Sequence, residues 1–289
     1  MYAHEAIAMA LYLGPMGLII GLVKLARSLS RPKDRRNPLT RDLLREPGHT
    51  VRAELDDVRS DLVGMMAATS PLPLFAYVEL QGQGWQATWV VVFGIAVLAG
   101  FIYLVRSIFR LVKRARALHL GLDAEMAVGQ ELTTLMSEEF WVFHDVKGDG
   151  PFNVDHVVVG KYGVFAVETK GRAKRIRESG DGHRVTVKDG RLEFPGWVET
   201  KPLEQAKRSA VWLGKWLSSA IGEHVSVTPV LALPGWYIER RSRSEVAVIN
   251  GKSPQSYFKN SGATAITEKQ VLQIKHQLDA RCRDVSAGA

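Results

Sequence analysis

The sequence predicts a mixed α/β domain in the C-terminal part of the chain, preceded by an all-helical N-terminal region. Residues 6–23 and 80–105 contain no charged side chain, and runs of this length can cross a bilayer as a helix. From Arg116 onwards, segments with helical apolar spacing alternate with short runs rich in β-branched and aromatic residues. The boundary between the two regions is therefore expected near residue 115.

The N-terminal region, residues 1–115, is predicted to be a membrane anchor with spans at about 6–23 and 87–105. Trp85 and Trp89 stand at the start of the second span, as interfacial aromatic residues do. Basic clusters follow both spans, which predicts a cytoplasmic C-terminal end for each. A cleavable signal peptide would instead carry its basic residues in front of the apolar run.

Two spans with the same orientation require a third crossing between them. The candidate is the uncharged segment 62–78, which Pro71 and Pro73 interrupt. It is open whether this segment is a short span, a re-entrant hairpin, an amphipathic surface piece or a buried loop. Residues 27–60 are predicted to be a polar linker, within which residues 37–60 are either a cytoplasmic linker or a short helix. The expected location is a bacterial inner membrane, crossed several times, with the C-terminal domain in the cytoplasm.

The net charge of +8 is unevenly distributed along the chain. From Arg116 onwards there are 24 Lys and Arg against 21 Asp and Glu, and before it 14 against 9. Most of the excess thus borders the apolar segments, so basicity alone does not indicate a nucleic-acid partner. The single cysteine, Cys282, excludes an intramolecular disulfide and a cysteine-based zinc cluster.

Within residues 116–289, a helix is expected first, then several strands, then alternating helices and strands. Gly160 and Gly163 predict a tight turn between two of the strands, and Asp189-Gly190 predicts a second hairpin. The predicted helices are 122–136, 202–221 and 268–279, and the strands lie in WVFHDV, FNVDHVVVG, YGVFAVETK, VTPVLAL and EVAVIN.

Three polar residues on the first hairpin are the candidate site. Glu168 and Lys170 are two residues apart on one strand, so their side chains share a face. Asp155 lies on the partner strand within cross-strand reach. Carboxylates at the end of a buried strand are costly unless they are paired or bind metal. Carboxylate oxygens are preferred ligands of Mg²⁺, so the pattern predicts a Mg²⁺ (or Mn²⁺) site.

Further residues extend this candidate site. Glu125 on the first helix is a third candidate metal ligand beside Asp155 and Glu168, and it is favoured over Glu131 by its spacing to Val128 and Leu132. Gln205 on the later helix is a candidate catalytic residue that could reach a metal-bound water or a phosphate. The basic cluster after the site is the candidate nucleic-acid contact, with a solvated turn as the alternative: Arg172, Lys174, Arg175 and Arg177.

Four stretches of the sequence, GLDAEMAVGQEL, VFHDV, FNVDHVVVGKYGVFAVETK and PLEQAKRSAVWL, resemble the nuclease-related domain (NERD) family over about residues 118–258. This family belongs to the PD-(D/E)xK nuclease-like superfamily. The resemblance implies a restriction-endonuclease-like central mixed sheet flanked by helices. It also implies that Asp155, Glu168 and Lys170 occupy the motif positions, with Glu125 and Gln205 at the helix positions. Val154 replaces the motif proline, which is a backbone feature and not a ligand.

The resulting hypothesis is a membrane-anchored, Mg²⁺-dependent nuclease that hydrolyses phosphodiester bonds, of DNA in preference to RNA, at the cytoplasmic face. Its expected partners are nucleic acid and the lipid bilayer. Two alternatives remain open. One is a catalytically inactive nuclease-fold module that binds nucleic acid, and the other is an anchor for protein partners.

Overall fold

The computed structural model describes residues 41–69, 87–150, 152–174 and 183–285. These residues form two compact units. One unit contains the described residues 56–69 and 87–115, and the other contains residues 41–55 and the described residues from 116 onwards. The predicted span 6–23 and residues 70–78 of the predicted middle segment lie outside the described residues.

The described part of the first unit consists of two helices, α1 (His49–Thr69) and α2 (Ala87–Thr133). The first turns of α1 and the last turns of α2 belong to the second unit. Within the described ranges, one helix is long and apolar enough to cross a membrane, judged by length and composition alone. Val91, Ile95, Leu98 and Phe101 in its apolar part are all more than half exposed. Multiple crossings therefore remain a prediction.

The helix α2 differs from the two separate helices that were predicted at 87–105 and 122–136. It is continuous over 47 residues and is followed by a 3₁₀ helix, Thr134–Glu138. Residues 106–121 contain no proline and are rich in Leu, Arg, Lys and Ala, which are good helix formers. The basic cluster that marks the end of a predicted span thus contains nothing that stops a helix.

The second unit is a mixed α/β domain, as predicted, but the described residues form two sheets instead of one. The larger sheet has the order β1-β2-β3-β7-β9, with β1, β2 and β3 antiparallel and β3, β7 and β9 parallel. Its strands are β1 (Phe140–Lys147), β2 (Asn153–Gly160), β3 (Gly163–Thr169), β7 (Val227–Ala232) and β9 (Ala247–Ile249).

The smaller sheet has the order β6-β5-β4-β8, with one parallel pair between β4 and β8. Both predicted hairpins are confirmed. Strands β2 and β3 pair up to Gly160 and Gly163, and Gly163 has a φ of 134°. Asp189 and Gly190 both have positive φ at the β4–β5 turn, as a type I′ turn requires. The strands are β4 (Arg184–Lys188), β5 (Arg191–Phe194), β6 (Trp197–Glu199) and β8 (Tyr237–Arg240).

Three further helices pack on these sheets: α3 (Lys201–Ile221), α4 (Pro254–Asn260) and α5 (Glu268–Cys282). The predictions of α3 and α5 are confirmed, with α5 longer by one turn. Leu213, Leu217, Ile274 and Leu278 of these two helices share a buried cluster with β1, β2 and β3. A second cluster joins the end of α2 to the same strands, so helices on both sides bury the hairpin β2–β3.

The described part of the predicted linker is helical from His49 onwards, in agreement with the short-helix alternative. Residues 41–55 also pack within the α/β unit, which was not predicted. Leu43 pairs with Val285 near the C-terminus through two backbone hydrogen bonds, and Leu55 is 1% exposed. The α/β unit therefore contains residues 41–55, which precede the described part of the first unit in sequence, and the described residues from 116 onwards, which follow it.

Candidate functional site

The hairpin β2–β3 brings the two motif carboxylates together. Asp155 and Glu168 are both buried, with exposed fractions of 6% and 1%. The strand pairing of His156 with Val167 places Asp155 beside the end of β3. There the Thr169 backbone N–H donates to Asp155 Oδ2 at 2.7 Å. The buried, β-branched composition of both strands thus carries two acidic side chains into the domain interior.

Lys170 lies directly after β3 and completes this group. Its Nζ donates to Glu168 Oε1 at 2.7 Å, and its backbone N–H donates to Ala232 O at 3.0 Å, which extends the pairing with β7. Burial lowers the pKa of the Lys170 ammonium, but attraction by Glu168 and Asp155 outweighs burial, and the net shift is upwards. Lys170 therefore stays charged at neutral pH.

The helix α2 supplies a third carboxylate to this group. Glu125 is 7% exposed, and its Oε2 is buried with no hydrogen-bond partner among the described residues. Burial raises the pKa of Glu125 to about 7, with further contributions from the charges of Asp145 and Glu168. Glu131, the other acidic residue weighed from the sequence, is exposed. The helix therefore turns Glu125 inwards and Glu131 towards solvent.

The charges of neighbouring carboxylates oppose the ionisation of Asp155 and of Glu125. The pKa of Asp155 is raised well above its usual value, first by burial and then by the charges of Glu168 and Glu125. Lys170 offsets only part of this repulsion. Three acidic groups beside one lysine in a buried site leave an excess of negative charge that a proton or a cation would neutralise.

The donor set fits a divalent cation. Mg²⁺ commonly uses one or two protein carboxylates and completes its coordination with water, which Asp155 and Glu168 could provide. The unpartnered Glu125 Oε2 supplies a further free oxygen. The described residues contain no preformed group of three or more His, Cys, Asp or Glu side chains spaced to hold a metal ion. A cation held by Asp155 and Glu168, with water in its remaining positions, is consistent with this.

The helix α3 contributes polar side chains near Glu168. Ser209 Oγ lies 3.5 Å from Glu168 Oε2, and Ser209 is 4% exposed. Gln205 is half-buried one turn earlier on the same helix face. Sequence reasoning singled out Gln205 and missed Ser209, although the four-residue spacing between them was a usable signal.

The basic cluster after the site is only partly described. Arg172 forms a two-pronged ion pair with Glu199, with N–O distances between 2.7 and 3.2 Å. Lys174 places its ammonium 5.6 Å from the centre of the Trp236 ring. Arg175 and Arg177 lie outside the described residues. Because Glu199 already balances the charge of Arg172, phosphate binding by Arg172 would require that pair to open.

A fourth buried carboxylate, Asp145, has no counterpart in the predicted site. It is fully buried, and its Oδ2 accepts hydrogen bonds from Arg45 at 2.8 Å and Thr50 at 2.7 Å. Asn153 donates to its Oδ1. Asp145 stands on β1, whose other residues are mainly apolar, with a φ of 51°. An acidic residue inside a mainly apolar strand was the available signal, but its partner lies 100 residues away in sequence.

Two histidines beside the site are buried as a pair. His144 Nδ1 and His156 Nδ1 are 2.9 Å apart, and His156 Nε2 is buried without a partner. Burial lowers the pKa of His144 to about 4 and that of His156 well below its usual value. Both side chains are therefore neutral at pH 7.

This histidine pair should make the fold acid-sensitive. When a His has a lower pKa in the folded protein than in the unfolded one, the free energy of unfolding falls as pH drops from the unfolded pKa of about 6.5 towards the folded value. For His144 alone, we expect a loss of about 2 kcal/mol in the free energy of unfolding between pH 7 and pH 5. Urea unfolding of His144→Gln, which does not titrate, should show a smaller loss over this range. The exposed His224→Gln serves as the control, and equal pH slopes for His144→Gln and wild type would contradict the assignment.

Comparison with known proteins gives one match. Residues 120–234 match the family model of the nuclease-related domain (NERD). No curated protein and no solved structure matches the chain. The matched region contains Glu125, Asp155, Glu168, Lys170 and Gln205. The match therefore supports the assignment of residues 120–234 to the nuclease-related domain family.

Proposed function

We propose that this protein is a divalent-metal-dependent nuclease that hydrolyses phosphodiester bonds of DNA in preference to RNA. The observation that carries the proposal is the buried group of Glu125, Asp155 and Glu168 beside Lys170. Its excess negative charge favours a divalent cation, and the family of the domain points to nucleic acid as the substrate. The proposed cofactor is Mg²⁺ or Mn²⁺.

Each residue would have a separate task in this reaction. Asp155 and Glu168 would hold the cation with Glu125 beside them, and the cation would polarise the scissile phosphate and activate a water. Lys170 Nζ, kept in place by Glu168 and 23% exposed, would donate hydrogen bonds to developing negative charge on the phosphate. Gln205, on the helix that also carries Ser209, would orient the attacking water or the phosphate.

We also propose that the chain is anchored in a bacterial inner membrane with the nuclease-related domain in the cytoplasm. The support is the apolar first half of α2 with its exposed side chains and the basic residues that follow it. Segments 6–23 and 62–78 would supply the further crossings.

A second candidate function keeps the fold without the catalysis. The ion pair from Lys170 occupies Glu168 Oε1, and Glu199 balances the charge of Arg172. The first observation favours a module that binds nucleic acid or a protein partner at the membrane without cleaving it. The second favours the protein partner, because a paired Arg172 is less available to a phosphate.

The deciding experiment uses the full-length protein in detergent with supercoiled DNA and, separately, single-stranded RNA. We expect nicking or degradation of DNA with Mg²⁺ or Mn²⁺ and none with EDTA. Salt-sensitive DNA binding with no cleavage under either metal would establish the second candidate instead.

Lys170→Gln tests the role of the lysine in the same assay. We expect the cleavage rate to fall about 100-fold, because loss of one electrostatic donor to the transition state costs about 10²–10³. The amide can still donate to Glu168, which preserves the local packing. Lys188→Gln on the exposed side of β4 is the matched control. Equal rates for the two variants would remove Lys170 from the mechanism.

A further inference from the structure

Residues 41–55, the N-terminal segment of the α/β unit, contact Asp145 and the turn of α2 that carries Glu125, one of the carboxylates of the proposed site. Their first contact is ionic. The Arg45 side chain, 10% exposed, spans two carboxylates, with Nη1 2.8 Å from Asp145 Oδ2 and Nε 2.7 Å from Asp284 Oδ1. Arg45 Nη1 also donates to the Asp145 carbonyl at 3.2 Å. The guanidinium therefore locks β1 to the C-terminal residues.

The second contact is a close backbone approach to α2. A β-carbon on Gly129 would lie 2.5 Å from Pro47 Cγ. A β-carbon on Gly48 would lie 2.5 Å from Leu122 Cδ1 and 3.8 Å from Glu125 Cβ. Gly48 has a φ of 71°, where a side chain is strained. Glycines on both sides thus allow the segment to lie directly against the turn of α2 that carries Glu125.

We propose that the N-terminal segment is a positioning element of the carboxylate site, with Arg45 as its positioning residue. Arg45 holds Asp145, and Pro47 and Gly48 hold the helical turn of Glu125. The inference rests on the proposed function, since it assigns the segment a role at the same metal site.

The physical basis is the orientation of ligands by their neighbours. Groups that fix the ligands of a metal site from outside are commonly worth 10–100-fold in metal affinity or activity. On β1, Asp145 lies between His144 and Val146, which pair with His156 and Val154, so Asp145 stands across from Asp155 on β2. A shift of Asp145 or of the α2 turn would therefore change the placement of the oxygens that face the cation.

The test compares Arg45→Lys with Arg41→Lys in the full-length protein in detergent. Both residues lie in the segment and pair with an aspartate, but the Arg41 side chain is 69% exposed and, among the described residues, pairs with Asp279 alone. Lysine keeps the charge and loses the fork that joins two carboxylates. Mn²⁺ binding is read from the Mn²⁺ concentration that raises Tm by a fixed increment, because the stabilisation grows as RT ln(1 + [Mn²⁺]/Kd) and does not saturate. The Mg²⁺ concentration for half-maximal cleavage is measured beside it.

We expect Arg45→Lys to need about tenfold more Mn²⁺ and Mg²⁺ than wild type, and Arg41→Lys to match wild type. Gly48→Ala, which displaces the α2 turn without touching Arg45, should shift the metal requirement in the same direction. If Arg45→Lys only lowers the metal-free Tm and both metal concentrations stay unchanged, the segment is merely structural and the proposal is overturned. Failure of wild type to cleave while Mn²⁺ still raises its Tm would sink the proposed function alone.

Discussion

Asp155→Asn is expected to stabilise the metal-free protein at neutral pH and to reduce metal-dependent cleavage roughly a thousandfold. Metal-ion catalysis supplies several kcal/mol of transition-state stabilisation, and each 1.36 kcal/mol corresponds to a factor of ten in rate. The stability gain arises because burial and two neighbouring carboxylates raise the pKa of Asp155. An Asn side chain removes that charge and can still accept the hydrogen bond of the Thr169 N–H.

The stability gain of Asp155→Asn should increase with pH. A carboxyl whose folded pKa is raised destabilises the fold increasingly as pH rises from its unfolded pKa of about 3.9 towards the folded value. The advantage of Asp155→Asn in urea unfolding with EDTA should therefore be largest near pH 8 and vanish near pH 4. Asp189→Asn, on the exposed β4–β5 turn, should change neither stability nor cleavage. A destabilised Asp155→Asn at pH 8 would mean that Asp155 is structural.

Local patterns predicted most of the secondary structure. The turn residues Gly163 and Asp189-Gly190 mark hairpins because positive φ is needed there, and that information is local. The number of sheets was not predictable in the same way. β4 pairs in parallel with β8, some 50 residues away, and alternation of apolar residues does not state which strands become neighbours. The continuity of α2 was not predicted, because a basic cluster marks the end of a membrane span but does not end a helix.

The residues of the candidate site fall into the same two groups, those that local sequence patterns place and those that depend on contacts distant in sequence. Asp155, Glu168 and Lys170 come from one hairpin, so strand periodicity and one turn suffice to place them together. Glu125 needed its helical phase relative to Val128 and Leu132, which was also readable. The pairing of Arg45 with Asp145 joins residues 100 positions apart, and residues 41–55 looked like a linker because they are polar. Arg45 and Thr50 of this segment instead donate hydrogen bonds to the buried Asp145.

Arg45→Ala should be among the most destabilising single changes in the α/β unit, costing about 3–5 kcal/mol in the free energy of unfolding. Removing one partner of a buried ion pair leaves the other charge buried without compensation. Asp145 is fully buried, and without Arg45 it retains only the neutral donors Thr50 and Asn153. Urea unfolding of the full-length protein in detergent measures the loss.

The exposed pair between Arg41 and Asp279 supplies the control, because solvated ion pairs contribute about 0–1 kcal/mol and Arg41→Ala removes one from the same segment. Arg45→Ala combined with Asp145→Asn should recover part of the lost stability, since the double variant no longer buries an unpaired charge. A fragment that begins at Arg116 lacks the whole segment, so it should unfold at lower urea than the full chain. Equal losses in the free energy of unfolding for Arg45→Ala and Arg41→Ala would contradict this prediction. The ion pair of Arg45 with Asp145 would then contribute no more to stability than an exposed pair.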